Sequence, residues 1–330
     1  MHLLIRPETF PIAGRFTIAR GSKTEAHVVY VELSDDSGHI GRGECVPYAR
    51  YGETVESVLE ELEHLKPFIE DGFEPDEMRR MTPSLMGAGA AANALDCALW
   101  DLRAKQTGVP AWRTAGLKAF NPLKTAYTLS LDTPEAMGSQ AALNARRPLL
   151  KLKIGGPDDI DRVEAVRANA PKARLIVDGN EGLAFEDLRR LAPDLKRLGV
   201  HLIEQPLKVA EDEQLLGYKS PVPLCADESL HTRAELERCA RLYDCVNIKL
   251  DKAGGLTEAL ALKQDSLDRG MQVMVGCMVA TSLSMAPAMI VAQGADYVDL
   301  DGPLLLARDR DHGLKITGSI LEAPDPALWG

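Results

Sequence analysis

A series of short apolar runs in the second half of the chain ends at Lys153, Asp178, Glu204, Asp227, Lys249, Gly276 and Asp299, spaced 25, 26, 23, 22, 27 and 23 residues apart. A strand, a helix and two short loops use up about that length, so each unit returns the chain to the same edge of a parallel sheet. With a further run at 125–131, the candidate strands are 125–131, 149–154, 174–177, 201–203, 223–226, 245–250, 272–275 and 297–300. Eight parallel strands close more readily into a barrel than into an open sheet. In such barrels, reactive groups from different strands meet at the C-terminal rim. Six of the seven residues above are ionisable, and this pattern constrains the fold more than any other feature.

The first third reads differently. Residues 26–33 (AHVVYVEL) alternate and are rich in β-formers, Asp35-Asp36-Ser37-Gly38 is turn chemistry, and 39–45 (HIGRGEC) resumes a strand, predicting a hairpin. Helical patterns follow at 54–68 and 90–106. The second sets Ala94, Leu95, Ala98, Leu99 and Leu102 along one face and stops at Gly108-Val109-Pro110. This is a separate α+β unit ahead of the barrel.

Composition narrows the function. A net charge of −11 and a pI near 5.2 argue against nucleic acid and anionic membrane as partners, because phosphate contacts need clustered Lys and Arg. No apolar run approaches the roughly 20 residues that span a bilayer, and the opening Met1-His2-Leu3-Leu4-Ile5-Arg6 is too quickly charged for a secretory signal, so a cytoplasmic protein is expected. Six scattered cysteines lack zinc-type spacing and are read mainly as small buried apolar residues of a reducing compartment.

Asp178, Glu204 and Asp227 would stand on the third, fourth and fifth strands, facing one space. A single acid there ordinarily caps the next helix, but three together repel unless a cation lies between them. All-oxygen ligation without nearby His or Cys favours Mg²⁺. In Leu150-Lys151-Leu152-Lys153-Ile154 the lysines alternate onto the interior face, and Lys249 enters from the opposite side. Lysine is a weak base at neutral pH, and burial beside a cation is expected to lower its pKa. A metal that holds a carboxylate, with an amine on each face of the adjacent carbon, is a device for moving an α-proton through an enediolate. That arrangement predicts epimerisation.

Lys151-Leu152-Lys153, Asp178-Gly179-Asn180, Glu204-Gln205-Pro206, Asp227-Glu228-Ser229 and Lys249 with Ala253-Gly254-Gly255 resemble the muconate-lactonizing-enzyme subgroup of the enolase superfamily, over about residues 15–303. The resemblance implies an α/β protein with a modified (β/α)₇β TIM-type barrel and an N-terminal α+β capping domain. The implied division is cap 1–116, barrel 117–305 and a segment 306–330 returning to the cap. It also implies Lys153 and Lys249 as acid/base residues, Lys151 as their support, and Asp178, Glu204 and Asp227 as ligands of one Mg²⁺ per subunit.

Within the subgroup, the stretches 16–22, 43–53, 93–102 and 299–303 are most similar to dipeptide epimerases, which implies an isomerase acting on a small dipeptide such as L-Ala-D-Glu in cell-wall peptide metabolism. Asp299-x-Asp301 resembles the element that holds the substrate ammonium, and two alternating carboxylates suit a cation and repel a dicarboxylate. Arg20 is placed like an arginine that contacts the Glu side chain. Thr128, Asn180, Asp251 and Cys277 complete the expected substrate-binding set. An N-acylamino acid racemase, an o-succinylbenzoate synthase or a cycloisomerase shares the lysines and metal without needing an ammonium site. Barrels of this kind commonly form homo-oligomers. Gly179 replaces a frequent Ala and is expected to loosen its loop.

Other signals are weaker. Gly87-x-Gly89 reads as a helix start, and Gly155-Gly156-Pro157 and Gly254-Gly255 as tight βα turns, since neither carries a P-loop Lys-Ser/Thr. His-Glu-x-x-His and Gly-x-Ser-x-Gly are absent, which removes the usual support for hydrolase readings. A non-catalytic binding barrel leaves a lysine on each side of a metal without a purpose, and the cap counts against a plain-barrel aldolase.

Overall fold

A computed structural model describes residues 1–155 and 159–330. It opens with a three-stranded antiparallel sheet in which β1 (His2–Ile18) and β2 (Gly21–Ser34) form one long hairpin and β3 (Ile40–Cys45) pairs with the other edge of β2. The predicted hairpin is the β2–β3 pair. Its turn is fixed by Asp35, whose carboxylate accepts from Ser37 N and His39 N at 2.9 Å.

Four helices follow: α1 (Val55–Glu70), α2 (Pro75–Leu85), α3 (Ala90–Thr107) and α4 (Ala111–Thr114). Thr54 starts α1 through reciprocal bonds with Ser57, and Gly108 ends α3 in the left-handed region that only glycine enters freely. The sequence predicts one apolar stripe on α3. Instead most of its circumference is buried, Asn93, Asp96 and Asp101 included, because it lies between the cap sheet and the barrel.

After β4 (Leu123–Lys124) the chain alternates between strands and helices: β5 (Tyr127–Leu129), α5 (Pro134–Leu143), β6 (Leu149–Lys153), α6 (Ile160–Asn169), β7 (Arg174–Asp178), α7 (Phe185–Arg197), β8 (Val200–Glu204), β9 (Leu224–Ala226), α8 (Leu236–Leu242), β10 (Cys245–Ile248), α9 (Leu250–Ala253), α10 (Leu256–Asp268), β11 (Gln272–Gly276), α11 (Ser282–Ala292), β12 (Tyr297–Asp299) and α12 (Gly302–Leu305). The eight strands from β5 to β12 form one parallel sheet in sequence order, and Ala126 N donates to Val298 O at 2.8 Å to close it. Each predicted barrel strand is present. Gly254 and Gly255, at φ +85° and +116°, join α9 to α10 rather than a strand to a helix. Of the predicted Gly155-Gly156-Pro157 turn, the last two residues lie outside the described residues.

Period-two alternation builds the barrel interior in layers. Ala126, Leu149, Ile176, Leu202, Cys225, Cys245, Met274 and Tyr297 form an apolar plug at the N-terminal end. Two residues further along each strand, the same interior face carries the polar set of the C-terminal rim. The chain ends with a small hairpin of β13 (Ile316–Thr317) and β14 (Ile320–Leu321) that pairs with β4, and a tail that packs on the cap side. There Trp329 Nε1 donates to Cys97 O at 3.1 Å and Gly330 N to Asp101 Oδ1 at 2.6 Å. Among the described residues no helix is long and apolar enough to cross a membrane.

Candidate active site

The polar layer forms because the interior face continues past the plug: Lys151, Asp178, Glu204, Asp227, Asn247 and Asp299 stand two residues beyond it, and Lys153 and Lys249 four. Lys153 pairs in register with Asp178, and Asp178 with Glu204, so these three side chains lie side by side. Asp227 follows the end of β9, and Lys249 follows the end of β10. All are buried, which for charged groups demands partners. Lys151 Nζ lies 2.7 Å from Glu204 Oε2, 2.8 Å from Asp299 Oδ2 and 3.1 Å from Asp178 Oδ2. Lys153 Nζ lies 2.6 Å from Asp178 Oδ2, and Lys249 Nζ lies 2.6 Å from Asp227 Oδ2.

Four further residues fix this arrangement and were missed in the sequence. Lys252 is fully buried, with its ammonium 2.7 Å from Asp227 Oδ1 and donating to Asp227 O and Asn247 O. Asn247 Nδ2 donates to Glu204 Oε1 at 2.8 Å. A Cβ at Gly276 would sit 2.6 Å from Asn247 Oδ1, so that glycine makes room for the amide. Gln205 Oε1 accepts from Asp227 N at 2.9 Å and Ser229 N at 3.1 Å, holding the loop after β9. Glu228 lies buried beside Arg20, 2.8 Å from its Nη2. The signal for Asn247 and Lys252 was available, since they lie two residues before and three after Lys249.

The electrostatics follow from this packing. Burial alone would push every carboxyl up, but Lys153 and Lys151 hold Asp178 below the usual range, and Lys249, Lys252 and Lys151 do the same for Asp227. Glu204 is pushed up to about 7 by burial and by the charge of Asp178, against the pull of Lys151. Burial favours neutral Lys151 and Lys249, yet the carboxylates around them hold both well above ordinary lysine. For Lys151 and Lys249 the expected lowering is therefore reversed in the chain itself, because acids surround these two ammonium groups.

The donor set suits a hard divalent cation. Asp178, Glu204 and Asp227 offer only oxygens from three successive strand ends. Glu204 Oε2 lies 2.7 Å from the Lys151 ammonium but off the axis of a hydrogen bond, so its lone pairs remain undirected. Among the described residues no group of three or more acids, histidines or cysteines is gathered as a finished cage, because lysine ammonium groups stand among the carboxylates.

Above this layer is a cavity of about 710 Å³ between cap and barrel. Lys151, Lys153, Asp227, Lys249, Thr128, Asn180, Cys277, Asp299 and Asp301 line it from the barrel, and Phe16, Arg20, Lys23, Tyr48, Arg50 and Tyr51 from the cap. Thr128 N donates to Asp301 Oδ2 at 2.6 Å, and burial and Asp299 push the Asp301 carboxyl up to about 7. Asp299 Oδ1, Asn180 Oδ1 and Glu228 Oε2 are buried acceptors without a hydrogen-bond partner.

Asp251 is not brought to this cavity. Its Oδ1 turns to the cap, accepting from Asn93 Nδ2 at 2.8 Å and Val46 N at 3.0 Å, because it lies in the first turn of α9, which packs on α3. A Cβ at Gly179 would meet Gln205 O and Pro206 Cα at 3.0 Å, so an alanine there would be tightly packed.

Residues 1–116 match the mandelate racemase/muconate lactonizing enzyme N-terminal domain, and residues 136–326 the enolase C-terminal domain-like family. The chain is 43% identical to an N-acetyl-D-glutamate racemase of Pseudoalteromonas sp., over 89% of this chain and 93% of that protein. It is 42% identical to the L-Ala-D/L-Glu epimerase of Escherichia coli K12, over 94% of this chain and 96% of that one. An enolase-family member from Agrobacterium tumefaciens, solved with sodium and L-Ala-L-Glu, superposes with a TM-score of 0.97 at 47% identity, covering 100% of this chain and 99% of that one. A dipeptide epimerase from Enterococcus faecalis V583, complexed with Mg and L-Leu-L-Tyr, superposes with a TM-score of 0.93 at 27% identity, covering 98% and 97%.

Proposed function

The chain belongs to the mandelate racemase/muconate lactonizing enzyme family of the enolase superfamily and is an isomerase of the racemase/epimerase kind, and we propose that it interconverts L-Ala-D-Glu and L-Ala-L-Glu. The observation that carries this reading is the Asp299-x-Asp301 pair on the cavity wall. Lys151 satisfies one oxygen of Asp299, Thr128 N satisfies one of Asp301, and Asp299 Oδ1 has no partner. A substrate ammonium supplies the missing donors.

In this reading the cofactor is one Mg²⁺ per subunit, held by Asp178, Glu204 and Asp227. When bound, Mg²⁺ would supply Lewis-acid stabilisation for negative charge on the substrate's terminal carboxylate. Lys153 is on the second strand of the barrel and Lys249 after the sixth, so their amines approach a centrally held α-carbon from opposite faces. One lysine removes the proton and the other returns one to the opposite face, which inverts the centre. Lys151 directs its positive charge at the carboxylate end and sets the orientation of Asp299. Arg20, Thr128, Asn180 and Cys277 bound the pocket around the peptide, with Arg20 nearest the acidic side chain.

The division into cap 1–116, barrel 117–305 and returning segment 306–330 belongs to the same reading. Its support is that both the cap loops and the barrel rim line the cavity, and that Ala307 N donates to Pro11 O and Gly330 N to Asp101. A cytoplasmic setting accords with six free cysteines, five of them buried.

A second reading, racemisation of N-acetylglutamate, is favoured by the 43% identical relative. It leaves the two carboxylates facing an uncharged acetyl group. Proton NMR in D₂O with Mg²⁺ decides between them. Loss of the Glu α-proton with appearance of the second Ala-Glu diastereomer supports the dipeptide reading. Exchange confined to N-acetylglutamate overturns it.

A further inference from the structure

We propose that Glu181 is a positioning residue whose single carboxylate clasps two separate cap loops onto the barrel rim and so holds the cavity closed around its substrate. Arg50, from the turn Ala49–Tyr51, donates Nε to Glu181 Oε2 at 2.7 Å and Nη2 to Oε1 at 2.8 Å. Arg20, from the tip of the β1–β2 hairpin, donates Nη1 to Oε2 at 3.3 Å. Val209 N, from the loop after β8, donates to Oε1 at 3.1 Å. Three segments far apart in sequence thus meet on one side chain.

The clasp is built into the rim. The Glu181 side chain is only 6% exposed, although both arginines that reach it are more open, at 28% and 40%. Its backbone is at φ +65°, beside Asn180 at +43°, a left-handed pair without glycine. Such conformations are disfavoured for residues with a Cβ and persist where the surroundings over-determine them. Here Glu181 N donates to Gln205 O at 2.9 Å, and Asn180 O accepts from Arg20 Nη1 at 2.7 Å, so the same arginine grips backbone and side chain of adjacent residues. Burial works against the Glu181 charge, but the Arg50 and Val209 bonds and both guanidinium charges hold its carboxyl below the usual range. A bidentate carboxylate shared by two arginines gives directional closure that a single ion pair does not.

The consequence concerns access. Arg20, Tyr48, Arg50 and Tyr51 line the cavity only while these two loops lie against the barrel. Glu181 itself is not among the lining residues, so it acts through the loops and not on the substrate. Its loss should weaken binding of any dipeptide while leaving the lysines and acids in place.

The test uses the Mg-loaded enzyme and the variants Glu181→Gln, Glu181→Asp and Arg50→Met. Hydrogen–deuterium exchange without substrate should be at least tenfold faster in E181Q at 15–23 and 48–53, with the barrel strands unchanged. KM should rise at least tenfold for L-Ala-L-Glu and for a neutral L-Ala dipeptide alike, with kcat within threefold. E181D should recover part of that KM, and R50M should loosen 48–53 only. Unchanged exchange in both loops overturns the proposal. So does a fall in KM for the acidic dipeptide alone, which would mean that Glu181 merely tempers the arginine charges. If E181Q fails to fold, exchange at 48–53 in R50M tests the Arg50 half of the clasp, and unchanged exchange there overturns the proposal. The kinetic arm rests on the proposed reaction, whereas the exchange arm does not, so an enzyme inactive on both dipeptides would sink that reaction and leave the clasp to be judged by exchange.

Discussion

The Lys151 ammonium donates to Asp299 Oδ2 at 2.8 Å, and the other oxygen of the same carboxylate has no partner. Beside it, the buried Asp301 accepts from Thr128 N on Oδ2 at 2.6 Å. Two neighbouring buried carboxylates, one of them with an unpartnered oxygen, are poised for a cationic group. Replacing Asp301 with Asn removes one charge-assisted bond while keeping the shape. A buried hydrogen bond to a charged group contributes about 1.5–3 kcal/mol, so kcat/KM for L-Ala-L-Glu should fall about 10- to 100-fold. Initial rates on N-acetylglutamate, measured by polarimetry, should change little. Equal losses on both substrates would remove the ammonium role.

In the proposed reaction the two lysines serve opposite faces of the α-carbon. Lys153 leans on Asp178 and Lys249 on Asp227, both at 2.6 Å, from strands four apart in an eight-stranded barrel. Lys153→Ala and Lys249→Ala should each abolish epimerisation by about 10²–10⁴-fold. Each should still exchange the α-proton of one diastereomer in D₂O, and the two variants should differ in which one. Exchange of both diastereomers by a single variant would rule out one base per face.

Metal addition should be visible without turnover. Asp178 and Asp227 are held by Lys153 and Lys249, so a divalent cation must take those oxygens from ammonium groups. Saturating Mg²⁺ at about 100 times Kd should stabilise the chain by about 2.7 kcal/mol, seen as a rise in Tm. Asp178→Asn should lose that shift and retain the apo Tm within a few degrees. A full Mg²⁺ shift in the variant would exclude Asp178 as a ligand.

Much of the site was legible because strand periodicity and unit length are both counted along the chain. Once Lys151 and Lys153 are set on the interior face, the 22- to 27-residue spacing brings Asp178, Glu204, Asp227, Lys249 and Asp299 to the same rim. Where direction depends on packing between distant segments, counting fails. Asp251 and Lys252 are adjacent on α9, yet one turns to Asn93 of the cap and the other to Asp227. Glu228 and Glu181 acquire their partners from the cap hairpin and the 49–51 turn, whose approach to the barrel no periodicity encodes. β1 escaped notice because Pro7 and Pro11 break its alternation, and α2 because Pro83 lies inside it.

Activity should also depend on pH through Asp301. Burial first, and then the charge of Asp299, push its carboxyl up to about 7. Below that pH Asp301 is protonated and offers an ammonium no charge, and above it the carboxylate is formed. kcat/KM for L-Ala-L-Glu should therefore climb as pH rises toward about 7 and level off beyond it. Asp301→Asn should flatten that limb on a lower plateau, and N-acetylglutamate should lack it. An identical rising limb in D301N would assign it to another group.

The cap sheet is seated on α3, the cap helix that faces the barrel, by a close approach that only glycine allows. A Cβ on Gly43 of β3 would lie 2.0 Å from Ala94 O, and one on Gly41 would lie 2.3 Å from Ala98 O, both backbone atoms of α3 that cannot swing aside. The two glycines are on one face of the strand, so β3 lies directly on the helix that presents Asn93 to Asp251. Gly43→Ala must separate strand from helix, an overpacking cost of about 1–3 kcal/mol in well-packed cores. The expected result is a Tm lower by several degrees, together with a raised KM, because the 46–51 loop follows β3 directly and carries Tyr48, Arg50 and Tyr51 to the cavity. A G43A chain with unchanged Tm would mean that β3 and α3 can separate without cost.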